Sequence, residues 1–101
     1  MIALRFSRPA RADLQAITTY IAQESPERAR AFATRITERC TLLQTSPALG
    51  RLRPEFGDDV RSLSVRPTVV LYRVREDRNE VEVLRVIDGR RDLGTIFAED
   101  V

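Results

Sequence analysis

The apolar positions of this chain repeat first with a strand period and then with a helical one. Ile2, Leu4 and Phe6 alternate with their neighbours, the pattern of a short half-buried strand over residues 2–6. Ser7 then offers a capping hydroxyl and Pro9 sits in the first turn of a helix. Its stripe runs through Ala10, Leu14, Ile17 and Ile21, with Tyr20 at its flank, and the helix ends near Glu24. Ser25-Pro26-Glu27 restarts the pattern with a cap, a proline at the first helical position and an acid favoured by the helix dipole. Ala29, Phe32, Ile36, Cys40 and Leu43 carry the second stripe, while Arg28, Arg35, Glu38 and Arg39 lie on the opposite side. Two helices with so short a linker fold back as an antiparallel hairpin, which Thr45-Ser46-Pro47 stops.

The second half reads differently. A loop rich in Gly, Pro and charge spans 46–59 and is expected to be packed down by Leu49, Leu52 and Phe56. Three strands follow at 60–65, 68–75 and 81–88, with Pro67 breaking the first from the second and 76–79 turning the second into the third. If Asp77 and Arg78 are the central turn residues, Arg73 opposes Glu82, Leu71 opposes Leu84 and Val69 opposes Val86. The other face would carry Val70, Tyr72, Val74, Val83, Arg85 and Ile87. Both faces are then largely apolar: one meets the helical hairpin and the second invites a partner. Residues 92–98 read as a final short helix or turn, with Asp92 capping and Ile96-Phe97 packing back. The sum is one domain over residues 1–101, an α+β two-layer β-α-α-β-β-β fold with a helical hairpin packed on a mainly antiparallel sheet and a short C-terminal helix or tail.

Composition narrows the chemistry. With 43% apolar and 32% charged residues the chain reads as soluble and globular. Its apolar runs are too short to span a bilayer, and its start lacks a signal-peptide pattern. The single Cys40 lies in a helical stripe, as expected for a buried structural thiol in a reducing cytoplasm. The net charge is only +2, yet all 17 basic residues are arginine, and histidine is absent. No side chain therefore titrates near neutrality at its ordinary pKa, so acid–base chemistry would fall to Asp, Glu, Tyr or Cys. One cysteine and no histidine leave no zinc-type ligand set, and the scattered glycines form no phosphate loop; no metal and no cofactor are expected. Arginines are the remaining candidates, concentrated in the C-terminal half and suited to phosphate or to an acidic protein segment.

Several segments, taken in order, resemble the RelE/ParE superfamily of bacterial toxins. They are S-x-x-A-x-x-D-L-x-x-I-x-x-Y-I from Ser7 to Ile21, G-R-x-R-x-E from Gly50 to Glu55, and V-R-S-L-x-V from Val60 to Val65. V-V-L-Y-R-V from Val69 to Val74 and the ending V-L-R-V-I-D-G-R-R-D-L-x-x-I-F complete the set. The resemblance implies the same fold and a toxin paired with a cognate antitoxin. RelE-like members cut mRNA in the ribosome with basic residues and commonly a tyrosine near the C-terminus. Here Arg90 and Arg91 match basic positions, but Phe97 stands in the tyrosine's place, and Thr68 or Val69 stands where a further arginine would project. Phenylalanine neither donates nor accepts a proton.

The chain therefore resembles the ParE branch, which implies inhibition of DNA gyrase by binding and neutralisation by a ParD-like antitoxin in a toxin–antitoxin hetero-oligomer. Asp88 replaces the histidine of the His-Gly-x-Arg-Asp ending that ParE-like members often carry. On this reading no residue is catalytic. Arg85, Arg90, Arg91 and Phe97 are the expected target contacts, and Arg61, Leu63, Tyr72 and Arg73 the expected antitoxin contacts. Neither a membrane nor a specific nucleic-acid sequence is an expected partner. The alternatives are a RelE-like ribosome-dependent endoribonuclease, in which Arg61, Arg85 and Arg91 would stabilise a phosphorane-like charge, and a non-toxic antitoxin-binding module.

Overall fold

The computed structural model describes residues 1–89. Strand β1 (Ala3–Phe6) leads into helices α1 (Arg8–Ala22) and α2 (Pro26–Thr41). The chain then passes through β2 (Arg51–Leu52), β3 (Val60–Val65), β4 (Thr68–Arg75) and β5 (Glu80–Asp88). Both predicted caps form: the Ser7 hydroxyl accepts from the Ala10 N–H and the Ser25 hydroxyl from the Arg28 N–H. Each helix has its proline in the first turn, where a missing N–H costs nothing.

The five strands form one sheet in the order β1-β5-β4-β3-β2. After the helical hairpin the chain enters at the far edge and meanders back by antiparallel pairs until β5 lies parallel to β1. The two-residue edge strand β2 is absent from the sequence reading, because Arg51-Leu52 is too short to show any period. The turn from β4 to β5 is a 3₁₀ turn over Glu76–Arg78 closed by Asn79 at φ 50°, a left-handed conformation that asparagine tolerates.

One face of the sheet holds the core. Leu63, Val65, Val70, Tyr72, Val81, Val83 and Val86 pack against Ala10 of α1 and against Phe32, Ile36 and Cys40 of α2. Leu4, Phe6, Leu14, Ile17 and Ile21 seal its margin. The expected register holds for Arg73 opposite Glu82 and fails beyond it, where Tyr72 opposes Val83 and Leu71 opposes Arg85. Leu84 is left over as a bulge, so Val69 opposes Ile87, Val70 opposes Val86, and Ile87 changes face. Helix α1 serves the bulge's backbone: the Ser7 hydroxyl donates to the Leu84 carbonyl at 2.9 Å, and the Val86 N–H donates to Asp13 at 2.9 Å. The second face is also less bare than its pattern implied, since Val60, Leu71 and Ile87 are all buried.

The 46–59 loop is held by polar contacts and not by Leu49 and Leu52, which are about half exposed. The Tyr72 hydroxyl donates to the Pro47 carbonyl at 2.7 Å and accepts from the Gly50 N–H at 2.8 Å. Gly50 lies so close that a Cβ there would stand 2.7 Å from both the Ser62 carbonyl oxygen and the Tyr72 ring. The first residue of the G-R-x-R-x-E segment thus has a steric reason to be glycine.

Candidate functional site

The sheet separates the expected antitoxin contacts. Leu63 and Tyr72 face the helices and are buried, so neither presents a side chain to a partner; their assignment as contacts is corrected to core and loop anchor. Alternation explains the error, because β4 is apolar on both faces and the sequence does not say which face the helices choose. Burial pushes the Tyr72 phenol above its ordinary pKa, with the Gly50 N–H and the Arg61 charge opposing that rise. Arg61 opposes Tyr72 and donates from Nη1 to the Gly50 carbonyl at 2.8 Å, which ties it to the same loop.

Arg73 projects on the other face, into a cluster organised by a sunken carboxylate. Glu82 is 8% exposed. Arg5 bonds to one of its oxygens, while Arg75 Nη1 lies 3.3 Å and Arg73 Nε 3.4 Å from the other. Arg73 Nε is buried without a hydrogen-bond partner, so for that atom the attraction is charge without direction. Arg5 also reaches Glu80 at 3.1 Å, and that hydrogen bond is the largest cause holding its guanidinium pKa above the ordinary value. Toward the far edge, Arg53 bonds Glu55 at 3.0 Å, reaches the Ser62 hydroxyl at 3.4 Å and lies 5.0 Å over the Phe56 ring. Arg51 is exposed opposite Ser62.

Arg85 is committed to the fold. Its Nε and Nη2 donate to the two Asp13 oxygens at 2.7 and 2.8 Å, a two-pronged pair whose side chains are 12% and 16% exposed. Asp13 is the residue the sequence reading undervalued. Its sequence signals are its place in the S-x-x-A-x-x-D-L segment and a carboxylate one position before the apolar Leu14. Arg90, Arg91 and Phe97, together with the expected final helix, lie outside the described residues.

On the helical side a groove of about 340 Å³ runs between the hairpin and the β3–β4 turn, with Tyr20, Ile21, Phe32 and Pro67 among its lining and Arg28 and Arg35 at its rim. Arg35 stacks 5.7 Å from the Phe32 ring and donates to the Arg66 carbonyl at 2.9 Å. Tyr20 is 74% exposed. Neither of the two tyrosines in the sequence therefore stands on the arginine-bearing face: one is buried under the loop and the other lies on the helices. Among the described residues, no helix is long and apolar enough to cross a membrane.

A helical hairpin laid on one face of a sheet in this order is the build of RelE/ParE-type toxins, as solved structures show. A chain from the chromosomal ParDE toxin–antitoxin system of P. aeruginosa superposes with a TM-score of 0.71 at 32% identity, covering 87% of this chain and 96% of that one. A chain of the toxin–antitoxin complex RelBE2 from Mycobacterium tuberculosis gives 0.61 at 26% identity, covering 86% and 96%. The isolated E. coli RelE toxin gives 0.64 over 99% and 97% at 16% identity, a likeness of fold alone. Toxin ParE3 of Caulobacter vibrioides is 33% identical over 88 residues, 86% of each chain. The model of the family described as ParE toxin of type II toxin–antitoxin system, parDE, matches residues 4–93. This chain belongs to that family and is the toxin of a type II toxin–antitoxin system.

Proposed function

We propose that the protein arrests growth by binding DNA gyrase and disturbing its cleavage and religation of DNA, without catalysing a reaction of its own. The observation that carries this reading is that, among the described residues, the arginine-rich sheet face holds no histidine, lysine or tyrosine, and its carboxylates Glu80 and Glu82 are sunk and ion-paired. Cleaving RNA at a ribose 2′-hydroxyl requires a base to remove that proton and an acid to protonate the leaving oxygen. The sequence has no histidine or lysine, Phe97 stands where the RelE-like tyrosine would be, and Tyr72 is bound at both hydroxyl functions. Guanidinium groups stay protonated at any physiological pH and cannot act as the base. What remains on that face recognises charge.

The proposed antitoxin is ParD-like, with an amphipathic acidic segment that orders on binding. Its apolar side would fill the groove floored by Ile21, Phe32 and Pro67, and its carboxylates would meet Arg28 and Arg35. The ParDE and RelBE2 names of the similar structures support such a partner. Arg90, Arg91 and Phe97 remain the proposed target contacts, whereas Arg85 fixes the end of β5 to α1.

Expression in cells tests the reading. The expected result is growth arrest with loss of negative supercoiling in a reporter plasmid and mRNA 5′ ends that match uninduced cells. Codon-positioned mRNA cuts with unchanged supercoiling would sink it, and normal growth would point to the non-toxic module.

A further inference from the structure

Among the described residues, the sheet face turned away from the helices carries charge without a large exposed apolar anchor. Arg5 stands on β1, Arg73 and Arg75 on β4, and Arg51 on β2, so guanidiniums recur from one edge strand to the other. Four inter-strand spacings separate the edges, about 19 Å at about 4.8 Å each. The carboxylates in the middle are sunk: Glu82 and Glu80 have side chains 10% and 12% exposed, against 42% for Arg5 and 36% for Arg73. Glu82 therefore gathers three guanidiniums whose side chains stay 42%, 36% and 28% exposed for Arg5, Arg73 and Arg75. Its role is to position them, as a buried acid that offsets mutual repulsion among Arg5, Arg73 and Arg75.

Two kinds of anionic partner suit such a row, and the apolar side chains decide between them. Stable protein–protein contacts centre on aromatic or aliphatic anchors seated in dry pockets. Here Val60, Leu71 and Ile87 are already buried within the chain, and both tyrosines lie elsewhere. A face of guanidiniums with no exposed aromatic side chain among the described residues can grip a phosphodiester backbone but cannot stack on bases or read them. We infer that this face binds the phosphate backbone of DNA, independently of sequence, with Arg5, Arg51, Arg73 and Arg75 as contacts and Glu82 as their positioning residue. The choice of DNA over RNA rests on the gyrase reading; the phosphate contact itself does not. A toxin that touches both gyrase and the DNA passing through it would bind the cleavage complex more tightly than either component alone.

Fluorescence anisotropy of the full chain with a labelled duplex of arbitrary sequence, titrated with salt, tests this directly. Four simultaneous phosphate contacts predict a plot of log affinity against log salt with slope roughly −3.6. Arg51→Gln, at an exposed edge position, should make that slope shallower by about 1 with an unchanged circular dichroism spectrum. Glu82→Gln should weaken DNA binding despite raising the net charge, because the guanidiniums lose their common anchor; a purely electrostatic surface would bind more tightly. Arg30→Gln on the outer helical side should change nothing. Three results would overturn the inference: no salt-dependent binding, equal loss with Arg30→Gln, or tighter binding to polyglutamate than to DNA. Tighter binding to single-stranded RNA than to the duplex would overturn the assignment to DNA. Gyrase inhibition surviving Arg51→Gln and Arg73→Gln together, with DNA binding lost, would leave the gyrase reading standing and remove only the DNA contact's part in it.

Discussion

Asp13 shows how one side chain can hold two layers together. It accepts from both guanidinium arms of Arg85 and from the Val86 N–H, so three donors of β5 depend on one carboxylate of α1. Removing it strands a mostly enclosed charge and a backbone donor. Asp13→Ala should lower the unfolding free energy by about 2–3 kcal/mol, less than a fully buried pair because both partners retain some water contact. A urea denaturation midpoint reads this, and an unchanged midpoint would show that the pair is dispensable. Burial raises the Cys40 thiol pKa to about 11, against an opposing pull from the Arg39 charge. A raised pKa means the folded state resists ionisation, so this contribution is complete below the unfolded thiol's pKa and is lost as pH climbs toward 11. Tyr72, also shifted upward, adds to the same alkaline loss. Stability should therefore fall between about pH 9 and 11, and Cys40→Ala should flatten part of that slope. A slope identical in the variant would contradict the assignment.

At the scale of elements, legibility followed the strength of each local signal. Ser7-x-Pro9 and Ser25-Pro26 combine a hydroxyl cap with a proline, and both helix starts fall where those pairs set them. Strands 60–65 and 68–75 are bounded by Pro67 and by a charged turn, and their limits are as expected. The bulge at Leu84 leaves no local mark in the sequence, and a contact that serves it lies 77 residues earlier, where the Ser7 hydroxyl bonds the Leu84 carbonyl. That one extra residue moved Ile87 to the opposite face and brought Val86 into the core. Tyr72 and Leu63 were misplaced for a related reason, since a sheet apolar on both faces does not declare which one the helices cover. Ser7 thus has two tasks where Ser25 has one. Ser7→Ala should cost about 2 kcal/mol and Ser25→Ala about 1, a difference that thermal or urea unfolding of the two variants can check. Equal losses would mean the bulge contact adds nothing.

For the whole molecule, the two faces divide the work. The helical side offers a groove with an apolar floor and an arginine rim, suited to an amphipathic acidic segment. The open sheet side offers guanidiniums ordered around Glu82, and between them Asp13 and Arg85 lock the two layers. The carboxylates Glu80 and Glu82 on the open sheet face are engaged by the arginines around them. The most direct test is supercoiling of relaxed plasmid by purified gyrase with the protein added, and again with its antitoxin present. The expected result is loss of supercoiling and accumulation of cleaved plasmid, both reversed by the antitoxin. Undiminished supercoiling at a toxin excess that arrests growth in cells would contradict it.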